Sequence, residues 1–178
     1  GIWVEPEMVN RDSGLYLAHP EWAMEIPGKS HSEGRNQMVL DLANPEVQDH
    51  LIRVMSKVFS SADISYVKWD MNKSFSEFGS FYLDAEHQGE LCHRYMLGLY
   101  RVMETLVTRF PNILWEGCSS GGARFDGGIL HYMPQIWTSD CSDAGERMQI
   151  QYGTSIVYPF STMGSHVSAI PNHQSGRS

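Results

Sequence analysis

Two short segments of the chain each end in an aspartate that could take part in catalysis. In residues 66–72 an apolar run leads into Asp70, and in residues 136–143 a second short run leads into Asp140. A buried strand delivers a carboxylate to the rim of a sheet in this way. Two carboxylates brought face to face are the minimum equipment for hydrolysing a glycosidic bond. The pair therefore predicts glycoside chemistry.

Lys68 precedes Asp70 by two residues, and side chains two apart share one face of a strand. Asn72 lies close by in the turn that follows. An ammonium group beside a carboxylate favours the ionised form, which a nucleophile needs before it attacks. A structural ion pair would have the same spacing, so both interpretations stay open.

Asp140 stands among small polar residues after Trp137 and Thr138. In a dry pocket with aromatic walls its proton would be held more tightly, as a general acid requires. Asp143 competes for that role, but it could equally begin a helix at Ala144 as its N-cap. Spacing alone does not choose between the two aspartates, and a capping role would explain both.

Aromatic side chains stand at the ends of the apolar runs. The C–H faces of a sugar ring stack on aromatic planes, whereas its hydroxyl groups need charged or amide partners. Arg35 and Lys68 are candidates for those polar contacts. We expect two of the chain's five tryptophans to be functional and the others to belong to the core. The aromatic residues at run ends are Trp3, Trp69, Trp115, Trp137 and Tyr158.

A competing motif occupies residues 117–121, which match the Gly-x-Ser-x-Gly elbow of serine hydrolases. Ser119 would be the nucleophile, with Asp140 and either His166 or His173 following in the right order. An elbow opens straight into a helix, however, and the glycine-rich residues 121–128 disfavour one. The alternative role for this stretch is close backbone approach to a ligand, with Cys118 as a tight wall.

Short apolar runs alternate with helical patterns along the chain. Asn44 is a good N-cap and Pro45 suits the first helical position, which predicts a helix to about residue 58. Further helices are predicted over 90–109, where Pro111 ends the pattern, and over 144–151. The runs that predict strands are 2–4, 38–42, 64–69, 113–115, 136–137 and 156–158.

This alternation predicts an α/β fold with a parallel sheet. Polar residues at the ends of successive runs (Glu7, Asp70, Glu116 and Asp140) are typical of the active face of a TIM barrel. A complete barrel needs eight strands and about 250 residues. We count five barrel-type strands, with 38–42 as an extra one, and therefore predict that residues 1–178 are one incomplete (β/α)8 barrel.

Bulk properties narrow the classes of partner. The formal charge of −8 disfavours nucleic acid as a partner, and no apolar stretch approaches the roughly 20 residues that span a bilayer.

Three scattered cysteines, without a Cys-x-x-Cys pair, favour a reducing, cytoplasmic location. The eight histidines show no ligand spacing, so the sequence gives no support for a metal site. Gly1 opens directly into a strand-like run, as in a piece of a longer protein whose targeting signals are lost.

Taken together, these residues resemble glycoside hydrolase family 36, the bacterial-type α-galactosidases. The matching stretches follow in order along the whole chain: 1–9, 35–37, 40–47, 66–72, 116–126, 137–143 and 164–174. Close alternatives are an α-N-acetylgalactosaminidase and a raffinose-synthase-like transglycosylase. The resemblance also implies that a β-sandwich domain, a C-terminal domain and further barrel strands belong to the parent protein, which would be a homotetramer.

What the resemblance implies for the site is a retaining mechanism on melibiose- or raffinose-type oligosaccharides, with no metal or organic cofactor. Asp70 matches the family's nucleophile, and Asp140 rather than Asp143 matches its acid/base. Retention predicts that the two carboxyl groups lie about 5–5.5 Å apart. The positions that match the galactose-binding set are Trp3, Arg35, Lys68, Cys118, Gly121 and Trp137.

Overall fold

The computed structural model describes residues 1–29 and 32–175, and its centre is a five-stranded sheet. The strands are β1 (Ile2–Val4), β4 (Tyr66–Trp69), β5 (Leu114–Gly117), β6 (Gln135–Trp137) and β7 (Met163–Gly164), in that spatial order. Every neighbouring pair is parallel. The carboxyl ends of all five strands therefore meet at one edge, which confirms the predicted α/β fold with a parallel sheet.

Two further strands form a separate antiparallel pair. They are β2 (Met8–Val9) and β3 (Met38–Val39), and Met8 lies opposite Val39. This pair belongs to the long connection between β1 and the helix that begins at Pro45. The prediction that the run 38–42 lies outside the main series of strands is confirmed.

Among the described residues, five α-helices connect the strands: α1 (Gly14–Ala18), α2 (Pro45–Phe59), α3 (Leu91–Arg109), α4 (Gly127–Tyr132) and α5 (Ala144–Ser155). At the start of α2 the side chain of Asn44 accepts a hydrogen bond from the N–H of Glu46, as predicted for an N-cap. The first residue of α2 is Pro45, whose missing N–H has no partner to lose there.

The core lies between the sheet and the pair α2 and α3. Leu51, Leu99 and Leu106 are buried in it, and each such leucine contributes about 2 kcal/mol. Phe59 packs edge-on against Trp115, with 5.4 Å between ring centroids. These contacts anchor the outer helices to the strands whose ends carry the candidate site. No helix in the described part of the chain is long and apolar enough to cross a membrane.

The prediction of a strand at 156–158 is wrong. Ile156 caps the C-terminus of α5, and Ile156 and Val157 are 73% and 72% exposed. The last strand is instead β7, whose two residues pair with Ile136 and Trp137. A two-residue strand that contains Gly164 is too short to form an apolar run in the sequence. Its pairing with β6 is what defines it as a strand.

Candidate active site

Backbone hydrogen bonds continue one residue beyond the strands and align the first polar side chains. The N–H of Asp70 donates to the carbonyl of Val4 at 2.9 Å, and the N–H of Cys118 donates to the carbonyl of Trp69 at 2.9 Å. Asp70 and Cys118 are consequently neighbours at the carboxyl edge of the sheet. Each is held by its own chain and by the strand beside it.

Asp70 is 5% exposed and surrounded by hydrogen-bond donors. Its Oδ2 accepts from Nε1 of Trp3 at 2.9 Å and its Oδ1 from the N–H of Met71 at 2.8 Å, and the side chains of Asn72 and Cys118 also bond to it. Burial alone would raise the pKa of Asp70, but these donors outweigh burial and lower it. The carboxylate is thereby kept ionised, as a nucleophile must be.

The thiol of Cys118 is one of these donors because it remains protonated. Burial, together with the negative charge of Asp70, raises the pKa of Cys118 to about 12. A thiol in this state donates to the carboxylate rather than competing with it as a second anion. Cys118 thus acts as a neutral partner of Asp70.

Lys68 pairs with Glu116 rather than with Asp70, contrary to the expectation from spacing. Its Nζ lies 3.3 Å from Oε1 of Glu116 and 3.8 Å from the ring centroid of Trp137. The sheet register explains this, because Lys68 is directly opposite Glu116 on the neighbouring strand. Cross-strand partners are closer than residues two apart on one strand.

Asp140 lies exposed in the loop after β6 and contacts the second tryptophan of the site. Nε1 of Trp137 donates to its Oδ1 at 3.0 Å. The ring of His166 stacks on the Trp137 ring system, with 4.0 Å between centroids and 18° between planes. Lys68 and His166 therefore fix the indole that contacts Asp140.

The guanidinium of Arg147 braces the loop that carries Asp140. It donates to the carbonyl of Ser139 at 2.9 Å and to the carbonyl of Gly164 at 3.1 Å. Arg147 is a buried residue of α5. The loop after β6 is thereby tied both to the helix that follows it and to the next strand.

Asp143 caps α5. Its Oδ1 accepts from the N–H groups of Gly145 and Glu146 at 2.9 and 3.1 Å. Both bonds lower the pKa of Asp143, and the bond from the N–H of Glu146 has the larger effect. Of the two interpretations that spacing left open for Asp143, the N-cap is the one the structure shows. Asp140 is not used in this way.

The glycines after Cys118 permit close approach to the loop of Asp140. A Cβ on Gly121 would lie 2.9 Å from Cα of Ser139, and one on Gly122 would lie 2.8 Å from the carbonyl oxygen of Thr138. Gly121 also has a φ of +86°, in the left-handed region. The expected close approach is thus made to the protein's own backbone at 138–139.

The serine-hydrolase geometry is not formed at Ser119. The hydroxyl of Ser119 donates to the carbonyl of Met71 at 2.9 Å, and α4 begins only at Gly127. His166 is stacked on Trp137 instead. No histidine within 1–29 and 32–175 is hydrogen bonded to this hydroxyl, so the base that would activate it is missing there.

Arg35 occupies an unusual turn near the site. Arg35 and Asn36 have φ angles of 55° and 59°, and Gly34 and Gln37 close the turn with hydrogen bonds of 2.9 and 3.3 Å. Left-handed conformations at two adjacent residues are those of a type I′ turn, where glycine or asparagine is usual. An arginine held there keeps its side chain exposed.

A residue that sequence reasoning missed connects this turn to the loop of Asp70. Glu5 accepts from the N–H of Asn72 at 2.8 Å and from Nε2 of Gln37 at 2.9 Å. Glu5 follows β1 directly, which was a usable signal, but its two partners are 32 and 67 positions away. Only the folded chain reveals such a link.

The five tryptophans divide between the sheet edge and the core. Trp3 is half exposed and Trp137 partly exposed at the sheet edge, whereas Trp22, Trp69 and Trp115 are buried. Tyr158 lies elsewhere, in a stacked pair with Phe125 at 4.0 Å. As for metal binding, the structure over 1–29 and 32–175 contains no group of three histidine, cysteine or acidic side chains that could hold an ion.

Known relatives match this chain over its whole length. The model of the Melibiase family matches residues 1–178. Alpha-galactosidase AgaA of Geobacillus stearothermophilus is 59% identical over 177 residues, 99% of this chain and 24% of that protein. Alpha-galactosidase Mel36A of Lactobacillus acidophilus is 53% identical, with 99% and 24% covered. The chain thus spans about a quarter of the length of these curated relatives.

Solved structures agree with the fold. The crystal structure of GH36 alpha-galactosidase AgaA superimposes with a TM-score of 0.95 at 59% identity, covering 99% of this chain and 24% of that one. The alpha-galactosidase of Lactobacillus brevis gives a TM-score of 0.95 at 51% identity, with 98% and 24% covered. The chain belongs to the Melibiase family.

Proposed function

We propose that the protein containing these residues is a retaining α-galactosidase, a glycoside hydrolase that removes terminal α-linked galactose from oligosaccharides. The observation that carries this proposal is the state of Asp70. It is a buried carboxylate kept ionised by four donors, at the same sheet edge as the loop of Asp140. An ionised carboxylate paired with a second, proton-carrying one is what double displacement at an anomeric carbon requires.

In the first step Asp140 donates its proton to the glycosidic oxygen while Oδ of Asp70 attacks the anomeric carbon. The bond to the aglycone breaks and a covalent glycosyl-enzyme forms. In the second step Asp140 removes a proton from water, whose oxygen attacks the same carbon and releases galactose from Asp70. Two inversions give net retention. The mechanism predicts carboxyl groups about 5–5.5 Å apart.

Six residues would bind the galactose unit. Trp3 and Trp137 offer aromatic faces, and Lys68 and Arg35 offer cationic donors for hydroxyl groups. Cys118 and Gly121 would form a close wall beside Asp70. The support is their position: Trp3 and Cys118 bond to Asp70, and Trp137 bonds to Asp140 and contacts Lys68.

The solved relatives point to the substrate class. One AgaA structure contains raffinose and another contains stachyose, each in a variant with an aspartate substituted. Those two aspartates are separated by the same number of positions as Asp70 and Asp140 here. We therefore propose raffinose-type α-galactosides as substrates of the whole protein.

The architecture of the whole protein is part of the same proposal. We infer that the five parallel strands belong to a (β/α)8 barrel completed by segments outside residues 1–178. The β-sandwich and C-terminal domains, the homotetramer and the cytoplasmic location stay predictions from the family resemblance and the cysteine pattern. The support for a barrel is the continuous parallel order β1-β4-β5-β6-β7.

The decisive experiment compares the full-length protein with its Asp70→Ala and Asp140→Ala variants on p-nitrophenyl α-galactoside, with and without azide. Azide can replace a missing nucleophile in one step or a missing base in the second step. Asp70→Ala should be inactive until azide is added and then yield β-galactosyl azide. Asp140→Ala should yield α-galactosyl azide, because azide then attacks a glycosyl-enzyme formed on Asp70.

Asp143→Ala is the matched control, since Asp143 caps α5 and should not be needed for turnover. If the wild-type protein does not cleave the substrate, the proposed function is wrong. If Asp70→Ala retains its activity without azide, the assignment of the nucleophile is wrong. The stereochemistry of the azide products separates the two carboxylate roles in either case.

A further inference from the structure

A largely buried ion pair lies beside β4, the strand that ends at the candidate nucleophile. Glu7, between β1 and β2, has no exposed surface, and Nη1 of Arg124 lies 2.9 Å from each of its carboxylate oxygens. Oε1 of Glu7 also accepts from Nε1 of Trp69 at 2.8 Å, and Oε2 accepts from the hydroxyl of Tyr95 at 2.5 Å. The carboxylate therefore has partners on both oxygens.

The two residues that flank Asp70 in sequence both contact this pair. Trp69 bonds to Glu7 through its indole, and Sδ of Met71 lies 3.3 Å from Nη1 of Arg124. The backbone on either side of Asp70 is thereby attached, through its side chains, to the same two charged groups. Asp70 itself does not bond to them.

Arg124 also belongs to the loop that carries Cys118, a donor to Asp70. Its guanidinium stays protonated. Burial would lower the pKa of Arg124, but the negative charge of Glu7 outweighs burial and raises that pKa. One ion pair thus joins the end of β1, the end of β4, the loop after β5 and, through Tyr95, helix α3. These are the segments that supply Trp3, Asp70 and Cys118.

A gain in folding stability does not explain why such an ion pair is present. Burying the two charges costs several kcal/mol, and proteins in which apolar side chains replace a buried ion pair are often equally or more stable. What a saturated buried network does provide is a fixed geometry. We propose that Glu7 and Arg124 are positioning residues that hold Asp70 in line for attack on the anomeric carbon. This inference rests on the proposed function of Asp70.

The test uses the full-length protein and a double variant, Glu7→Gln with Arg124→Met. This variant removes both charges together, so that no unpaired charge is left buried, and the amide oxygen of the new side chain would still accept from the Trp69 indole. Arg124→Lys is the conservative variant, which keeps the charge but not the guanidinium. Arg101→Met is the matched control, because Arg101 pairs with Asp49 at 2.7 Å in the outer helical layer.

The probe is 5-fluoro-α-galactosyl fluoride. An attacking carboxylate forms a bond to its anomeric carbon, fluoride departs, and the labelled protein persists because the remaining fluorine slows the second step. Intact mass spectrometry follows both the rate of labelling and the final number of labels per molecule. The rate reports how well Asp70 is aimed, whereas the final number reports the fraction of protein that is folded.

We expect the double variant to keep its melting temperature and one label per molecule but to be labelled roughly 10- to 100-fold more slowly, as for a misaligned reacting group. Arg124→Lys should recover part of the rate. The inhibition constant of free galactose should change less than about threefold, because neither Glu7 nor Arg124 is among the residues proposed to bind the sugar. Arg101→Met should label at the wild-type rate.

A double variant that is folded and labelled at the wild-type rate would overturn the inference. So would a variant whose only defect is a smaller number of labels, because that is the signature of a structural role. If the wild-type protein is never labelled on Asp70, the proposed function itself has failed. The two failures are therefore distinguishable in one experiment.

Discussion

The indole N–H of Trp3 donates a 2.9 Å hydrogen bond to Oδ2 of Asp70, so a half-exposed aromatic ring and a buried carboxylate form one unit. The bond connects β1 with the end of β4. It means that Trp3 has two effects, one on any ligand that stacks against its ring and one on the charge of Asp70. The second effect can be measured separately.

Trp3→Phe removes the N–H but keeps an aromatic face. Because the Trp3 bond is the largest of the contributions that lower the pKa of Asp70, its loss should raise that pKa. Asp70 must be ionised to attack, so the acid limb of kcat/KM in the full-length protein should move to higher pH. Activity should fall more at pH 5 than at pH 7. The measurement is a pH profile of kcat/KM.

Trp115→Phe provides the control for this substitution. Trp115 is a core residue whose buried Nε1 has no hydrogen-bond partner among the residues that the structure describes. Its replacement should lower stability by leaving a cavity and leave the acid limb in place. Equal shifts in the two variants would show that the Trp3 bond does not tune Asp70.

The two aspartates near β6 should differ in kind when substituted. Asp140→Asn removes the proposed acid, so kcat/KM for raffinose should fall by about 10²–10⁴. The loss should be smaller for an aryl galactoside with a good leaving group, because such a group departs with little protonation. Steady-state rates on both substrates measure the difference.

Asp143→Ala should instead lower the melting temperature by a few degrees, because α5 loses its N-cap, with turnover per folded molecule almost unchanged. The capping bonds lower the pKa of Asp143, so its stabilising effect is present above the ordinary carboxyl pKa and is lost as pH falls. If Asp143→Ala abolished activity and left the melting temperature unchanged, Asp143 rather than Asp140 would be the acid/base.

Two of the three cysteines, Cys92 and Cys118, should react with iodoacetamide at very different rates. Cys92 is exposed, whereas Cys118 is buried and has its pKa raised to about 12. The thiolate is the reactive form, and at pH 8 only about one Cys118 in 10⁴ is ionised. Peptide mass mapping should find Cys92 modified first and Cys118 unmodified until denaturant is added. Early modification of Cys118 would contradict the neutral thiol beside Asp70.

Local signals predicted those elements that depend on local physics. Asn44 and Pro45 correctly predicted the start of α2. Both effects, capping and the fixed φ of proline, act within one helical turn and can therefore be read from adjacent residues. Asp70 and Asp140 were placed at a sheet edge because each follows a buried run. The prediction of a strand at 156–158 was wrong because it relied on a local apolar run, and those residues remain exposed after α5. The last strand, β7, is defined by its pairing with β6, which no local signal shows.

Long-range partners were beyond this reasoning. Period-two spacing put Lys68 beside Asp70, but the register between β4 and β5 put it opposite Glu116. Likewise Glu7 was recognised as a polar residue at a strand end, yet its ion pair with Arg124 spans 117 positions. No single-chain pattern encodes which of several charges meets which, because that choice depends on how the strands are ordered in space.

Gly121 and Gly127 are two glycines of one loop region that should respond oppositely to alanine. At Gly121 the φ of +86° is strained for alanine, and the new Cβ would lie 2.9 Å from Cα of Ser139. We expect Gly121→Ala to lose about 1–3 kcal/mol of stability. Activity per folded molecule should fall as well, because the backbone next to Asp140 must move.

At Gly127, the first residue of α4, an added Cβ meets nothing within 4 Å. Gly127→Ala should be neutral or stabilising by up to about 1 kcal/mol, since alanine reduces the entropy of the unfolded chain. Denaturant unfolding together with kcat in the full-length protein checks both variants. If Gly121→Ala unfolds and turns over like Gly127→Ala, the loop after β5 does not constrain the loop of Asp140, and the positions of Cys118 and Asp140 are set independently.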